Sequence, residues 1–165
     1  MSHRIQLSAI ALSSAWMFIP PILIADEVRD LNIIAEAHDS PREAGIGPVQ
    51  LREEGGVVIR SAKDLVAMSS RPDAAIPKEL EAELAKTLNV DAIDWSKQMV
   101  LAVRGTAGTK LDRIQVNSLK SEVKILTVNW KAKQRPPHAG PGFPVALILV
   151  DRFDGDVKFV EGGRP

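Results

Sequence analysis

The chain has 165 residues, of which 45% are hydrophobic and 25% charged, and this balance predicts one globular domain rather than several domains or a disordered chain. Its 21 basic and 21 acidic residues cancel, so no long-range field favours nucleic acid or an acidic substrate. Cysteine is absent, which excludes disulfides, thiolate metal ligands and a cysteine nucleophile.

Residues 1–25 have the pattern of a secretory signal peptide. A weakly basic start at His3 and Arg4 is followed by an apolar stretch over residues 5–24, and the small residue Ala25 ends it. We expect cleavage after Ala25 and an exported protein that is periplasmic, secreted or held at the cell surface. If the segment is not cleaved, it would instead be an N-terminal membrane anchor, and only then do we expect contact with a membrane.

Residues 26–48 are predicted to form an N-terminal segment or linker. Asp30–Ala37 is apolar enough for a strand at a sheet edge. The turn-forming runs at residues 38–41 and 45–48 predict an exposed loop between them. A single domain is expected over residues 49–161, with residues 162–165 as a tail.

Two helices are predicted in the first half of this domain. Ser61 and Asp64 have the spacing of reciprocal caps at the start of a helix over residues 62–68. A second helix begins at Pro77 and ends at Asn89, a residue that tolerates the left-handed conformation. Three leucines at four-residue spacing predict its buried stripe: Leu80, Leu84 and Leu88.

The remaining patterns predict strands. They cover Met99–Arg104, Leu111–Leu119, Val123–Trp130, Pro144–Val150 and Asp156–Glu161.

Glycine pairs and proline-rich runs predict how these strands connect. Gly55-Gly56 indicates a hairpin between Val49–Leu51 and Val57–Ile59, and Asp154-Gly155 indicates a second hairpin that joins the last two strands. Lys120-Ser121 is the predicted turn between the strands Leu111–Leu119 and Val123–Trp130. Lys131–Phe143 is predicted to form a long exposed loop. The fold class is therefore α+β, with a mainly antiparallel sheet or small sandwich and two short helices on one side.

No pattern in the sequence predicts catalysis. Gly105–Lys110 has two residues between its glycines where a phosphate-binding loop has four, and Leu111 then opens a strand rather than a helix. His38 and His138 lie in predicted loops without partners at metal-ligand spacing, and no Gly-x-Ser-x-Gly motif occurs. We therefore expect no enzyme activity, no catalytic residue, no metal and no cofactor.

One exposed segment has the composition of a docking arm. Between Trp130 and His138 it combines an aromatic residue, several cations and a Pro-Pro pair, which would give a semi-rigid arm. The candidate partner contacts are Trp130, Lys133, Arg135 and His138. The alternative is a solvated loop whose tryptophan packs into the core.

Two stretches carry a family resemblance. Val58–Leu65 and Val90–Val103, the second of which contains the lead-in Asp94-Trp95-Ser96-Lys97, resemble the C-terminal domain of bacterial protease-complex subunits, the PrcB family. The resemblance covers residues 57–161. It implies an exported accessory protein that has no catalytic residues and that assists another exported protein, such as a protease.

The chain departs from the family pattern after the central strand. Such domains often carry a Thr-Gly-Gly-Tyr-like step there, whereas this chain has Gly105–Leu111 and contains no tyrosine. The functional prediction is an exported, non-catalytic domain that binds another exported protein. The alternative is a small-ligand-binding or enzymatic domain with a pocket between helices and sheet, near Trp95 and Trp130.

Overall fold

The computed structural model describes residues 29–39, 45–70, 72–106, 111–122, 124–134 and 143–162. Its strands are β1 (Arg29–Asp30), β2 (Ile33–Asp39), β3 (Gly45–Ile46), β4 (Val49–Gln50), β5 (Gly55–Ile59), β6 (Gln98–Arg104), β7 (Leu111–Glu122), β8 (Ile125–Gln134), β9 (Val145–Asp151) and β10 (Asp156–Glu161). The helices are α1 (Ala62–Ala67) and α2 (Pro77–Leu88), with a single 3₁₀ turn at Pro72–Ala74. The predicted signal peptide lies outside the described residues.

Two four-stranded sheets pack face to face. The central sheet has the order β2-β9-β6-β5, and the outer sheet has the order β1-β7-β8-β10. All of these pairs are antiparallel except β8 and β10, which run parallel. The short strands β3 and β4 form a separate hairpin around Gly47, whose φ is 55°. The expectation of an α+β fold with mainly antiparallel strands is confirmed.

The central sheet is buried on both faces, and its middle strands, β6 and β9, are apolar at every position apart from the polar residues at their ends. Along β9, Leu147 and Leu149 face the helices while Ile148 and Val150 face the outer sheet, and all four are completely buried. The same alternation holds along β6. A strand that is covered on both sides reads as a continuous apolar run, as predicted for Pro144–Val150.

Both helices cover one side of the central sheet, as predicted. Ser61 caps α1 by accepting a 3.2 Å hydrogen bond from the Asp64 amide, and the Asp64 carboxylate reaches back to the Arg60 amide at 2.9 Å. Helix α2 ends at Asn89 in the left-handed conformation, at φ 55°. Its leucine stripe packs against the sheet, with Leu84 and Leu88 buried.

The two predicted hairpins are wrong, and the same physical reason accounts for both. Gly55 and Gly56 lie inside β5, which pairs with β6 rather than with β4. A Cβ added at Gly56 would lie 2.1 Å from the Phe159 ring of β10. Because glycine has no side chain, β5 of the central sheet and β10 of the outer sheet can approach each other closely here. Gly155 likewise lies against the Lys124 carbonyl, where a Cβ would be 2.2 Å from the oxygen.

The connection after β9 therefore crosses from the central to the outer sheet instead of turning back. The Arg60 side chain holds it by donating to the carbonyls of Phe153 at 3.2 Å and Gly155 at 2.7 Å. The Asp156 amide then donates to the Lys124 carbonyl at 2.7 Å, which sets β10 beside β8.

Two further expectations about the connections need correction. Strand β7 continues through Lys120 and Ser121, where a turn was predicted, to Glu122. Strand β8 continues four residues beyond Trp130, into the predicted loop, because it pairs with the start of β7 through Gln134.

Candidate functional site

One edge of the central sheet is β2. It pairs antiparallel with β9, and no other described strand lies on its far side. An edge strand presents N–H and C=O groups that can pair with another chain, and natural edges are often protected by lysine or proline. Neither residue occurs in the seven residues of β2.

A β-bulge at Ile34 exposes two large apolar side chains at the start of this strand. Ile33 pairs with Val150 and Ala35 with Leu149, so Ile34 is the extra residue between them. Ile33 is 38% exposed and Ile34 is 43% exposed. Two consecutive isoleucines point to opposite faces of a regular strand, so the sequence alone did not distinguish this exposed pair from a strand that is covered on both faces.

A groove of about 310 Å³ lies beside the exposed pair. Asp30–Ile33 forms one wall, and Val116–Leu119 of β7 forms the other. The groove exists because the chain passes from the outer to the central sheet here: the Leu31 amide donates to the Leu119 carbonyl at 3.0 Å, while Ile33 already belongs to β2. A second bulge, between Val116 and Ser118, widens the β7 wall.

Farther along β2, a polar pair lies on the face opposite the helices. The Nε2 atom of His38 is 2.8 Å from a Glu36 carboxylate oxygen, whereas its Nδ1 atom is buried without a partner in the structure. Ala35 and Ala37 occupy the helix side. The strand thus offers an apolar end and a polar end to whatever pairs with it. We call β2 with the neighbouring groove the β2 edge.

The predicted docking arm is only partly within the described residues. Trp130 is 2% exposed and packs between the two sheets, with its indole N–H buried and without a partner in the structure. Lys133 lies on β8, and Arg135 and His138 lie outside the described residues. A partner contact by the arm stays a prediction.

The segment before β6 is held by hydrogen bonds among its own residues. The Asp94 carboxylate accepts hydrogen bonds from the Ser96 hydroxyl at 2.5 Å and the Ser96 amide at 3.0 Å. These bonds lower the pKa of the exposed Asp94 carboxyl below its ordinary value, and Lys97 adds to the effect. Trp95 packs at the rim of the helix-side core and donates to Glu81 at 2.5 Å.

A cavity of about 470 Å³ lies within the described residues, but neither Trp95 nor Trp130 lines it. It lies between the loop that precedes β5 and the C-terminal end of α1, where Leu51, Val57 and Met68 supply apolar walls. Arg104 shapes one side by donating to the carbonyls of Leu51, at 2.8 Å, and Arg52. Its guanidinium stacks 4.2 Å from the centre of the Phe143 ring.

Two further features are absent from the described ranges. No group of three or more His, Asp or Glu side chains there could hold a metal ion. No helix in the same ranges has the length and apolar character needed to cross a bilayer.

Comparisons with known proteins do not assign the chain to a family. No protein-family model matches the chain, and no curated protein or solved structure matches it either. The geometry of the β2 edge and the physical chemistry of its residues are therefore the basis for a functional conclusion.

Proposed function

We propose that the protein is an exported, non-catalytic accessory domain that binds another exported protein by adding a strand to the β2 edge. The observation that carries the proposal is the combination of a seven-residue edge strand, which has neither lysine nor proline, with two exposed isoleucines. In strand addition, main-chain hydrogen bonds supply affinity and pockets for alternate side chains supply specificity. The groove beside Ile33 is the pocket that such a strand would use.

The chemistry of the edge defines the segment that would pair with it. An extended peptide needs an apolar side chain where it passes Ile33 and Ile34, because exposed apolar area at an interface core is a main source of affinity. Beyond the bulge, Glu36 and His38 favour a polar or basic side chain. The resemblance to the PrcB family supports a protease as the partner that contributes this segment.

The pairing can be tested by photo-crosslinking in the exported fraction of the producing cells. A benzophenone amino acid at position 34 should crosslink one protein, whereas the same probe at Val160 should not. Val160 is a matched control because it is also 43% exposed and also lies on an edge strand, β10. Ile33→Lys should abolish the crosslink from position 34, since a charged side chain would replace an exposed apolar one at the groove.

Hydrogen exchange on the recovered complex distinguishes strand addition from ordinary side-chain contact. Backbone amides of β2 should become protected when the partner binds, because half of them would donate to the added strand. Unchanged exchange along β2, or equal crosslinking from positions 34 and 160, would refute the proposal.

Export rests on the residues of the signal-like segment. N-terminal sequencing of the mature protein should give Asp26 as the first residue, and the protein should be recovered outside the cytoplasm. A cytoplasmic protein that begins at Met1 would contradict this part of the proposal.

The second candidate is a small-ligand-binding domain, and the cavity of about 470 Å³ favours it because ligand sites commonly fall in the range of ~300–1,000 Å³. Its lining mixes Leu51, Val57 and Met68 with polar side chains from the preceding loop. Native mass spectrometry of protein purified from the producing cells would detect a retained ligand. Met68→Trp should then abolish its retention, whereas the crosslink from position 34 should be unaffected.

A further inference from the structure

The polar half of the β2 edge is complementary to itself. Glu36 and His38 lie on the same face of β2, one residue to either side of Ala37, and the His38 Nε2 atom is 2.8 Å from a Glu36 carboxylate oxygen. Their neighbours on β9, Ile148 and Ala146, carry no charge. This part of the edge therefore presents one acid and one base at equal distances from a central alanine.

Two copies of an edge strand that pair antiparallel are related by a two-fold axis, so the residue on the axis sets the register. With Ala37 on the axis, Glu36 of each copy lies directly opposite His38 of the other copy. Side chains that oppose each other directly in antiparallel strands interact, and opposite charges stabilise the pair while like charges destabilise it. The Ala37 register therefore gives two favourable cross-strand pairs.

The other symmetric registers are less favourable. An axis at Glu36 would oppose two carboxylates, and an axis at His38 would oppose two imidazoles. An axis at Ala35 would bring the Ile34 bulge into the paired stretch, where the extra residue disrupts the ladder. An axis beyond His38 would leave β2 facing residues outside the strand.

The stretch that pairs in the Ala37 register is Ala35–Asp39. It contains neither lysine nor proline, the residues that commonly protect a sheet edge. Its residues on the helix side, Ala35 and Ala37, have the smallest side chains that a strand can carry other than glycine, so they do not obstruct an approaching backbone.

We propose that β2 pairs with β2 of a second copy about Ala37, which joins two four-stranded central sheets into one sheet of eight strands. The inference rests on the proposed function, since it requires an edge that accepts an added strand, and it adds how that edge is controlled. A second copy and an exported partner need the same main-chain N–H and C=O groups, so they compete. Ile33 and Ile34 lie outside the paired stretch, where a partner can contact them before it displaces the second copy.

The register can be tested in the purified protein with single cysteines, because the chain contains none of its own. Ala37→Cys places two thiols on directly opposed residues, whose Cα atoms lie about 4.5–5.5 Å apart and within reach of a disulfide. Ala35→Cys is the matched control: both alanines are half-buried on the same face of β2. Residue 35 is four residues along the ladder from its own copy, roughly 14 Å away.

Mild oxidation should therefore crosslink the Ala37→Cys protein into a dimer and leave the Ala35→Cys protein monomeric. Equal crosslinking of the two variants would show random collision and would overturn the proposal, as would no crosslinking of either.

Charge reversal tests the selection of the second copy independently. Sedimentation velocity of the cysteine-free protein should show a monomer–dimer equilibrium that depends on concentration. Glu36→Lys should raise the dimer dissociation constant about tenfold, because both cross-strand pairs lose their attraction. Glu36→Lys with His38→Glu should restore the dimer, since the exchange again places opposite charges face to face. A protein that is monomeric at every concentration, or an exchange that restores nothing, would refute self-pairing.

The benzophenone probe at position 34 separates this inference from the proposed function. When the oxidised Ala37→Cys dimer is added to the exported fraction, the probe should capture no partner, and reduction of the disulfide should restore the capture. Capture by the oxidised dimer would refute the competition. If the purified protein is monomeric and the probe still captures one partner, self-pairing fails and the proposed function stands. If the Ala37 dimer forms and the reduced protein captures no other protein, the proposed function fails and self-pairing stands.

Discussion

The contact between Gly56 and Phe159 allows a quantitative test of how the sandwich closes. An alanine Cβ at position 56 would lie 2.1–2.3 Å from three atoms of the Phe159 ring. Favourable contacts between carbon atoms are about 3.5–4.0 Å, so the ring would have to withdraw by roughly 1.5 Å. Overpacking of this kind costs about 1–3 kcal/mol.

Gly56→Ala should therefore lower the free energy of unfolding by about 2 kcal/mol. For a chain of this size, that loss corresponds to a fall in Tm of roughly 4–8 °C. Thermal and urea unfolding, followed by circular dichroism, would measure both quantities. Gly162→Ala is the control, since its added Cβ would have its nearest neighbours at 3.6 and 3.8 Å and should shift stability by less than about 0.5 kcal/mol.

A double-mutant cycle separates the proposed clash from any effect on the strand itself. In a Phe159→Ala background the ring is absent, so Gly56→Ala should be neutral, or stabilising by up to about 1 kcal/mol through lower entropy of the unfolded chain. If the losses from Gly56→Ala and Phe159→Ala are instead additive, the ring contact does not explain the glycine and the reasoning is refuted.

Two further predictions concern hydrogen bonds made by Ser61 and Ser96. Ser61→Ala removes the hydrogen bond from the Asp64 amide and should lower the free energy of unfolding, measured in urea, by about 0.5–2 kcal/mol. Ser70 is exposed, so Ser70→Ala should change this free energy little. Equal effects of the two substitutions would contradict a capping role for Ser61. The hydrogen bonds from Ser96 lower the pKa of the Asp94 carboxyl in the folded state. The ionised Asp94 carboxylate therefore stabilises the folded state at pH values above its unfolded-state pKa, and this stabilisation is lost as the pH falls through its folded-state pKa. An NMR titration should find the Asp94 pKa below its ordinary value, and Ser96→Ala should raise it; an unchanged pKa in that variant would refute the assignment.

Local signals in the sequence predicted the elements well, because caps and periodicity act within a few residues. Ser61, Asp64 and Asn89 each have the conformation or bond that their residue type favours at a helix end.

The connections could not be predicted because glycine has two different uses. Gly55-Gly56 and Gly155 were interpreted as turn residues, where positive φ is the requirement. Gly56 and Gly155 instead allow close approach to Phe159 and to the Lys124 carbonyl, atoms that the sequence does not place nearby. Sheet membership of β10 was missed for this reason.

The candidate site was predicted only in part. An edge strand over Asp30–Ala37 was expected, and β2 is such a strand. The bulge at Ile34 and the groove against β7 depend on pairing with β9 and β7, which the sequence does not specify. Trp130, in contrast, was a candidate for partner contact but is buried between the two sheets. Its strand, β8, continues into the segment that was predicted to be a loop.

The way the chain passes between its two sheets also has a kinetic consequence. Arg29 pairs with Ser121, Ile33 with Val150, and Val157 with Leu126, so neither sheet is complete until distant parts of the chain have met. Folding rates fall as contacts become more distant in sequence, and sandwiches of this kind fold in milliseconds to seconds. We expect a newly made chain to stay unfolded for longer than a helical protein of equal size, which would leave time for a transport system that accepts only unfolded substrates.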